Sequence, residues 1–163
     1  MIFHASIPTE QPERVARVAA ELWGGKAYPF PPCPGAWVAW AGDDRNSGIE
    51  CYPAQTVVHP GQGADMCAFV PDQRVSRASG FHLAVATPLT EAEVHAIAAR
   101  EGWRSVRCSR GGAFDVIEFW LENALMIEVL TDEMQADYLA NSTVAKWEAM
   151  LAAGGEPPVA LAA

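Results

Sequence analysis

Two histidines and two glutamates recur at one spacing along this chain. His4, in Ile2-Phe3-His4-Ala5, returns as His82 in Gly80-Phe81-His82-Leu83. Glu50, in Ile49-Glu50-Cys51, returns as Glu128 in Ile127-Glu128-Val129. Each pair is 78 positions apart (from 4 to 82 and from 50 to 128), and Gly24 and Gly102 obey the same step. Imidazole nitrogens and carboxylate oxygens together form a mixed donor set suited to a divalent ion such as Ni, Zn, Mn, Co or Fe. The set contains no thiolate, which argues against a closed structural zinc site. Four side-chain donors on an octahedral ion leave two positions for water or substrate oxygens, as catalysis by a metal requires. His4, Glu50, His82 and Glu128 are therefore the candidate metal ligands. Taken singly, each has an ordinary reading as a hydrogen-bonded or solvated strand residue; the shared spacing is what sets them apart. His59 and His95 match no repeat position.

The elements that must position these four residues are legible from periodicity. Phe3, Ala5 and Ile7 alternate with Ile2, His4 and Ser6, which predicts a strand with its histidine on the face away from the apolar one. From about Glu10 to Trp23, Val15, Val18, Ala19 and Leu22 repeat at helical spacing, and Gly24-Gly25 ends the helix. The prolines at 29, 31, 32 and 34 limit any strand there to a short or edge one. Ala36 to Ala41, a turn over 42–47, and Gly48 to Tyr52 predict a hairpin. The second half repeats this order. Phe81, Leu83 and Val85 form one strand face, with His82 and Ala84 on the other. Thr90 and Glu93 make a capping box for a helix ending at Gly102. Strands follow over Trp103–Cys108, Ala113–Leu121 and Ala124–Leu130, the last two joined by a turn at Glu122-Asn123. Each half thus puts an imidazole on its first strand and a carboxylate on its last. Each histidine is followed two places on by a small residue, Ser6 or Ala84, leaving space beside the ring.

These patterns predict an α+β fold of two βαβββ modules with mixed sheets, forming a partly open, barrel-like cleft. The expected boundaries are a first module at about 1–58, a connector at 59–79 with one added strand near Cys67 to Val70, a second module at about 80–131, and one C-terminal helix over 132–153. Tyr138, Trp147, Met150 and Leu151 are available to pack that helix. Residues 154–163 read as a flexible tail, so 1–153 form a single domain.

Composition narrows the functions available. Eleven Lys and Arg against twenty Asp and Glu give a formal charge of −9, which disfavours nucleic-acid binding. No apolar run approaches the roughly 18 to 20 residues of a membrane span, and the start does not read as a signal peptide, so the expected location is cytoplasmic. Cys33, Cys51, Cys67 and Cys108 lack CxxC spacing and read as reduced, mostly buried thiols. Trp23, Trp37, Trp40, Trp103 and Trp120 read mainly as core.

Two βαβββ modules carrying the ordered set His4, Glu50, His82, Glu128 resemble the vicinal oxygen chelate superfamily, which includes glyoxalase I, extradiol dioxygenases and bleomycin-binding proteins. The resemblance spans about residues 2–131; the proline-rich segment and the C-terminal helix depart from it. It implies a metal-dependent lyase or isomerase acting on a small substrate with neighbouring oxygens through a metal-stabilised enolate. Glu50 or Glu128 would be the catalytic base, with Glu128 slightly preferred. A ferrous dioxygenase using His4, His82 and Glu128, and a metal-free small-molecule-binding protein with tryptophans lining its cleft, are the alternatives. Glu118 breaks the repeat and reads as a solvent-facing strand residue rather than a partner of the site. Arg45, Arg107 and Arg110 lie near turns and are candidates to hold an anionic substrate. Whether the halves close within one chain or across a homodimer is open to either reading.

Overall fold

The structure is a computed structural model describing residues 3–60, 62, 65–72 and 80–153. The first module runs β1 (His4–Thr9), α1 (Pro12–Trp23), β2 (Lys26–Pro29), β3 (Trp37–Trp40) and β4 (Gly48–Pro53), forming a sheet in the order β1-β4-β3-β2. Between the modules a two-stranded hairpin, β5 (Thr56–His59) and β6 (Ala68–Pro71), stands on its own. The second module runs β7 (Leu83–Ala86), α2 (Glu91–Glu101), β8 (Ser105–Ser109), β9 (Asp115–Leu121) and β10 (Leu125–Leu130), in the order β7-β10-β9-β8. Two further helices follow, α3 (Asp132–Asn141) and α4 (Val144–Ala152).

In each module the first strand pairs in parallel with the last, and the remaining neighbours are antiparallel. Ser6 stands opposite Glu50 and Ala84 opposite Glu128, so the sequence repeat is a repeat of strand register. The fold is therefore the expected pair of βαβββ modules with mixed sheets, and among the described residues they form no closed barrel. No helix of the described residues is long and apolar enough to cross a membrane.

The predicted helical stripes face inward. Val15, Val18, Ala19 and Leu22 of α1 and Val94, Ile97 and Ala98 of α2 join Ile49, Cys51, Ile127 and Val129 in one buried cluster. Because that cluster draws on both modules, the halves pack on each other within one chain. Ion pairs support the junction on the helical side, Arg14 with Glu101 and Arg100 with Glu21, each at 2.6 Å. Thr87, at the end of β7, donates its hydroxyl to the Leu22 carbonyl in the last turn of α1. Both module helices end on a left-handed glycine, Gly24 and Gly102. The Thr90–Glu93 capping box is formed at α2.

The strand expected near Cys67 to Val70 is present as β6, and a further strand, β5, pairs with it to make a hairpin. One expectation is corrected. The single helix expected over 132–153 is two helices: Thr143 adopts an extended backbone and its side chain accepts the Lys146 N–H at the start of α4. A capping hydroxyl offers the chain a helix start at that point, and a start there requires a break before it. Tyr138 does pack, edge-on to Phe114 at 4.9 Å, whereas Trp147 and Leu151 are exposed. Ile2, parts of the connector and the tail expected at 154–163 lie outside the described residues.

Candidate functional site

In the first module Ile49 and Cys51 point into the helix-facing core, so alternation sends Glu50 to the opposite face of β4. There it is 7% exposed. A buried carboxylate is costly unless it is hydrogen-bonded, and two neighbours on the same face supply donors. Ser6, opposite it on β1, donates to Oε2 at 2.8 Å, and Tyr52, two residues along β4, donates to the same oxygen at 2.6 Å. The described neighbour of Oε1 is His4 Nε2 at 3.9 Å, on an exposed ring. Tyr52 packs among Phe30 and Phe69, the latter from the connector hairpin, over buried Cys33 and Ala36. Burial, together with its bond to Glu50, pushes the Tyr52 hydroxyl up to about 12, so it stays a proton donor at neutral pH. Burial and the same carboxylate raise the Cys33 thiol.

The second module builds its half differently. Glu128 is 9% exposed and lies opposite Glu118 in the β9–β10 register. Arg110, just past β8, donates to Glu128 Oε1 from Nε at 3.0 Å and from Nη2 at 2.5 Å, and Nη2 also reaches Glu118 Oε1 at 3.0 Å. The turn that aims this arginine closes with an Arg110 N–H to Phe114 carbonyl bond and carries left-handed Gly111 and Gly112. Glu118 is thus not solvent-facing: its side chain is 19% exposed and ion-paired. His82 sits just before β7 and is exposed. Trp120 Nε1, two residues from Glu118 on β9, is buried without an acceptor among the described residues.

Of the four candidate ligands, the structure brings His4 and Glu50 together and engages Glu128 with Arg110. Among the described residues no group of three or more His, Cys, Asp and Glu is gathered as a metal site. In type the four donors fit a divalent ion, and in position the His4–Glu50 half fits best. A groove of about 450 Å³ runs between the first strands of the two modules and is lined by His4, Ala5, Gly48, Leu83, Ala84 and Gln135, among others. Arg45 has its backbone N–H on the Asp43 carboxylate, and Arg107 pairs with Glu91 and Asp115. Among the basic residues named from sequence, Arg110 is the one set against a candidate ligand. Trp103 is core, and Trp23 and Trp37 pack against it. Sequence reasoning missed Tyr52 as a partner of Glu50. The signal was present, because residues i and i+2 on a strand share a face.

Both modules thus carry a carboxylate at the same register on their last strands, Glu50 on β4 opposite Ser6 and Glu128 on β10 opposite Ala84. No family model matches the sequence, and no curated protein matches it. Among solved structures, an integron cassette protein from the mobile metagenome of V. cholerae is similar at 14% identity and a TM-score of 0.49, over 81% of this chain and 94% of that one. A cassette protein from V. pseudocholerae is similar at 15% identity and a TM-score of 0.47, over 81% and 94%. The trypanothione-dependent glyoxalase I of Leishmania major is similar at 13% identity and a TM-score of 0.46, over 94% of this chain and 97% of that one.

Proposed function

We propose that the protein is a glyoxalase-like lyase or isomerase that takes a small substrate with neighbouring oxygens and moves a proton from its carbon, with Glu50 as the proton acceptor. The arrangement around Glu50 carries this reading. Two donors hold one carboxylate oxygen and leave the other turned toward His4 at the exposed end of β1. A base fixed in this way keeps one oxygen aimed toward the substrate. Glu50 is preferred to Glu128 because the guanidinium of Arg110 already occupies Glu128 Oε1.

His4, Glu50, His82 and Glu128 are the proposed ligands of a divalent ion, Ni, Zn, Mn, Co or Fe. Such an ion, when bound, would polarise the substrate oxygens and stabilise the enolate. Tyr52 and Ser6 would keep Glu50 in place through the proton transfer, and His4 would border the entry to the groove.

A second reading, a metal-free small-molecule-binding protein, is favoured by one observation: Arg110 supplies the positive charge that Glu118 and Glu128 need. Elemental analysis of untagged protein purified without chelators separates the two. About one equivalent of an ion, lost in a His4→Ala, Glu128→Ala double variant, supports the lyase. No ion in the wild type after incubation with each of the five leaves the binding protein in front.

A further inference from the structure

The two halves of the site occupy the same register but satisfy their carboxylates by different means. In the first module Glu50 lies between Ser6 on β1 and Val38 on β3, with Tyr52 two residues along its own strand. At the equivalent places in the second module, Glu128 lies between Ala84 on β7 and Glu118 on β9, with Leu130 two residues along. Both hydroxyl donors are gone, and a second carboxylate stands where an apolar side chain stood. Two carboxylates on adjacent strands repel each other. The described hydrogen bonds to Glu128 come from Arg110, whose planar fork spans both acids.

We propose that Arg110 is a resident cation that competes with a divalent ion for Glu128 and Glu118, and that its withdrawal opens the second module's half of the site. The inference rests on the ion-binding reading above and names how that site is regulated. The guanidinium and an ion need the same lone pairs on Glu128 Oε1, so the two contacts exclude each other. Arg110 is suited to leave: its side chain is 30% exposed, and it borders a turn whose next two residues are Gly111 and Gly112. Withdrawal leaves two adjacent carboxylates, of which Glu118 keeps the Cys108 thiol as a neighbouring hydrogen-bond partner, an oxygen-rich pair of the kind that takes a small divalent cation.

The test is calorimetric titration of Mn²⁺, Ni²⁺ and Zn²⁺ into wild type, Arg110→Met and Arg110→Met/Glu118→Gln, each first checked for folding by circular dichroism. Arg110→Met is expected to bind at least one ion tenfold or more tightly than wild type, and Glu118→Gln to reverse part of that gain. Equal affinity in wild type and Arg110→Met overturns the competition while leaving the lyase reading standing. Binding by the variant alone supports the competition and removes the lyase reading for the native protein. Binding by neither overturns both. Should Arg110→Met not fold, the wild type carries the test: Zn²⁺ titration should shift the Arg110 Nε–H resonance, and an unmoved resonance on a protein that binds the ion overturns the proposal.

Discussion

The hydroxyl of Tyr52 donates to Glu50 Oε2 at 2.6 Å from two residues along the same strand. Neighbours of this kind share a face by the strand's own period, so β4 carries both a buried acid and the donor that makes its burial tolerable. The bond works in both directions. It holds the carboxylate and, with burial, keeps the phenol protonated.

Tyr52→Phe is expected to cost about 2 kcal/mol at neutral pH, the range for a hydrogen bond to a charged group. The variant also has a pH signature. The folded hydroxyl sits at about 12, above the roughly 10 of an unfolded tyrosine. Its contribution is therefore complete below about pH 10 and lost as pH rises toward 12. Urea unfolding across that window should show wild type losing stability more steeply than Tyr52→Phe; parallel curves would refute the assignment.

His4→Ala should separate function from stability. The ring is exposed and its contact with Glu50 is 3.9 Å, so the expected change in unfolding free energy is within about 0.5 kcal/mol. Ion affinity, read by calorimetry with Mn²⁺, should fall at least tenfold. An unfolding cost of several kcal/mol would mark His4 as structural instead.

Gly25 is fixed by proximity. A Cβ built there would lie 1.9 Å from the carbonyl oxygen of Trp40, a backbone atom of β3 that cannot step aside. Gly25→Ala is expected to cost about 3 kcal/mol or more, if it folds at all. Gly80→Ala, where nothing lies within 4 Å, should be close to neutral. Thermal denaturation of the pair checks the contrast.

Glu122 ties the second module to the first. From the β9–β10 turn its carboxylate accepts the backbone N–H groups of Glu10 at 2.8 Å and Gln11 at 2.7 Å, at the start of α1. These donors have no partner within the helix, and Gln11 provides no side-chain cap. Glu122→Ala is expected to destabilise by about 1 to 2 kcal/mol, measured by urea unfolding. Glu122→Gln should recover part of that loss.

Much of the fold was legible in the residues. Alternation, the helical stripes, the Thr90–Glu93 box and the two helix-ending glycines are short-range patterns, and the 78-residue step of the two His and two Glu is a count along the chain. Local sterics and hydrogen bonding translate such patterns into strands, helices and their order. Strand register follows from the same alternation, because a slip of one residue would send Glu50 into the helix-facing core and Ile49 out of it.

What no local pattern carried was which charges would meet. Arg110 reaches Glu128 because the sheet order β10-β9-β8 lays three strands side by side and the turn after β8 swings a long side chain across two of them. Glu118 reads as solvent-facing until that arginine is present. The break before α4 was open to reading from Thr143, but the exposure of Trp147 depends on what packs against it, and α4 buries none of its residues. The sequence by itself determined the two modules, which follow from periods of two and 3.6 residues, and the equal spacing of His4 with His82 and Glu50 with Glu128. The tertiary structure decided that one half of the set is held by neutral hydroxyls and the other by a guanidinium, because long-range electrostatics and side-chain reach exist only once distant strands are neighbours.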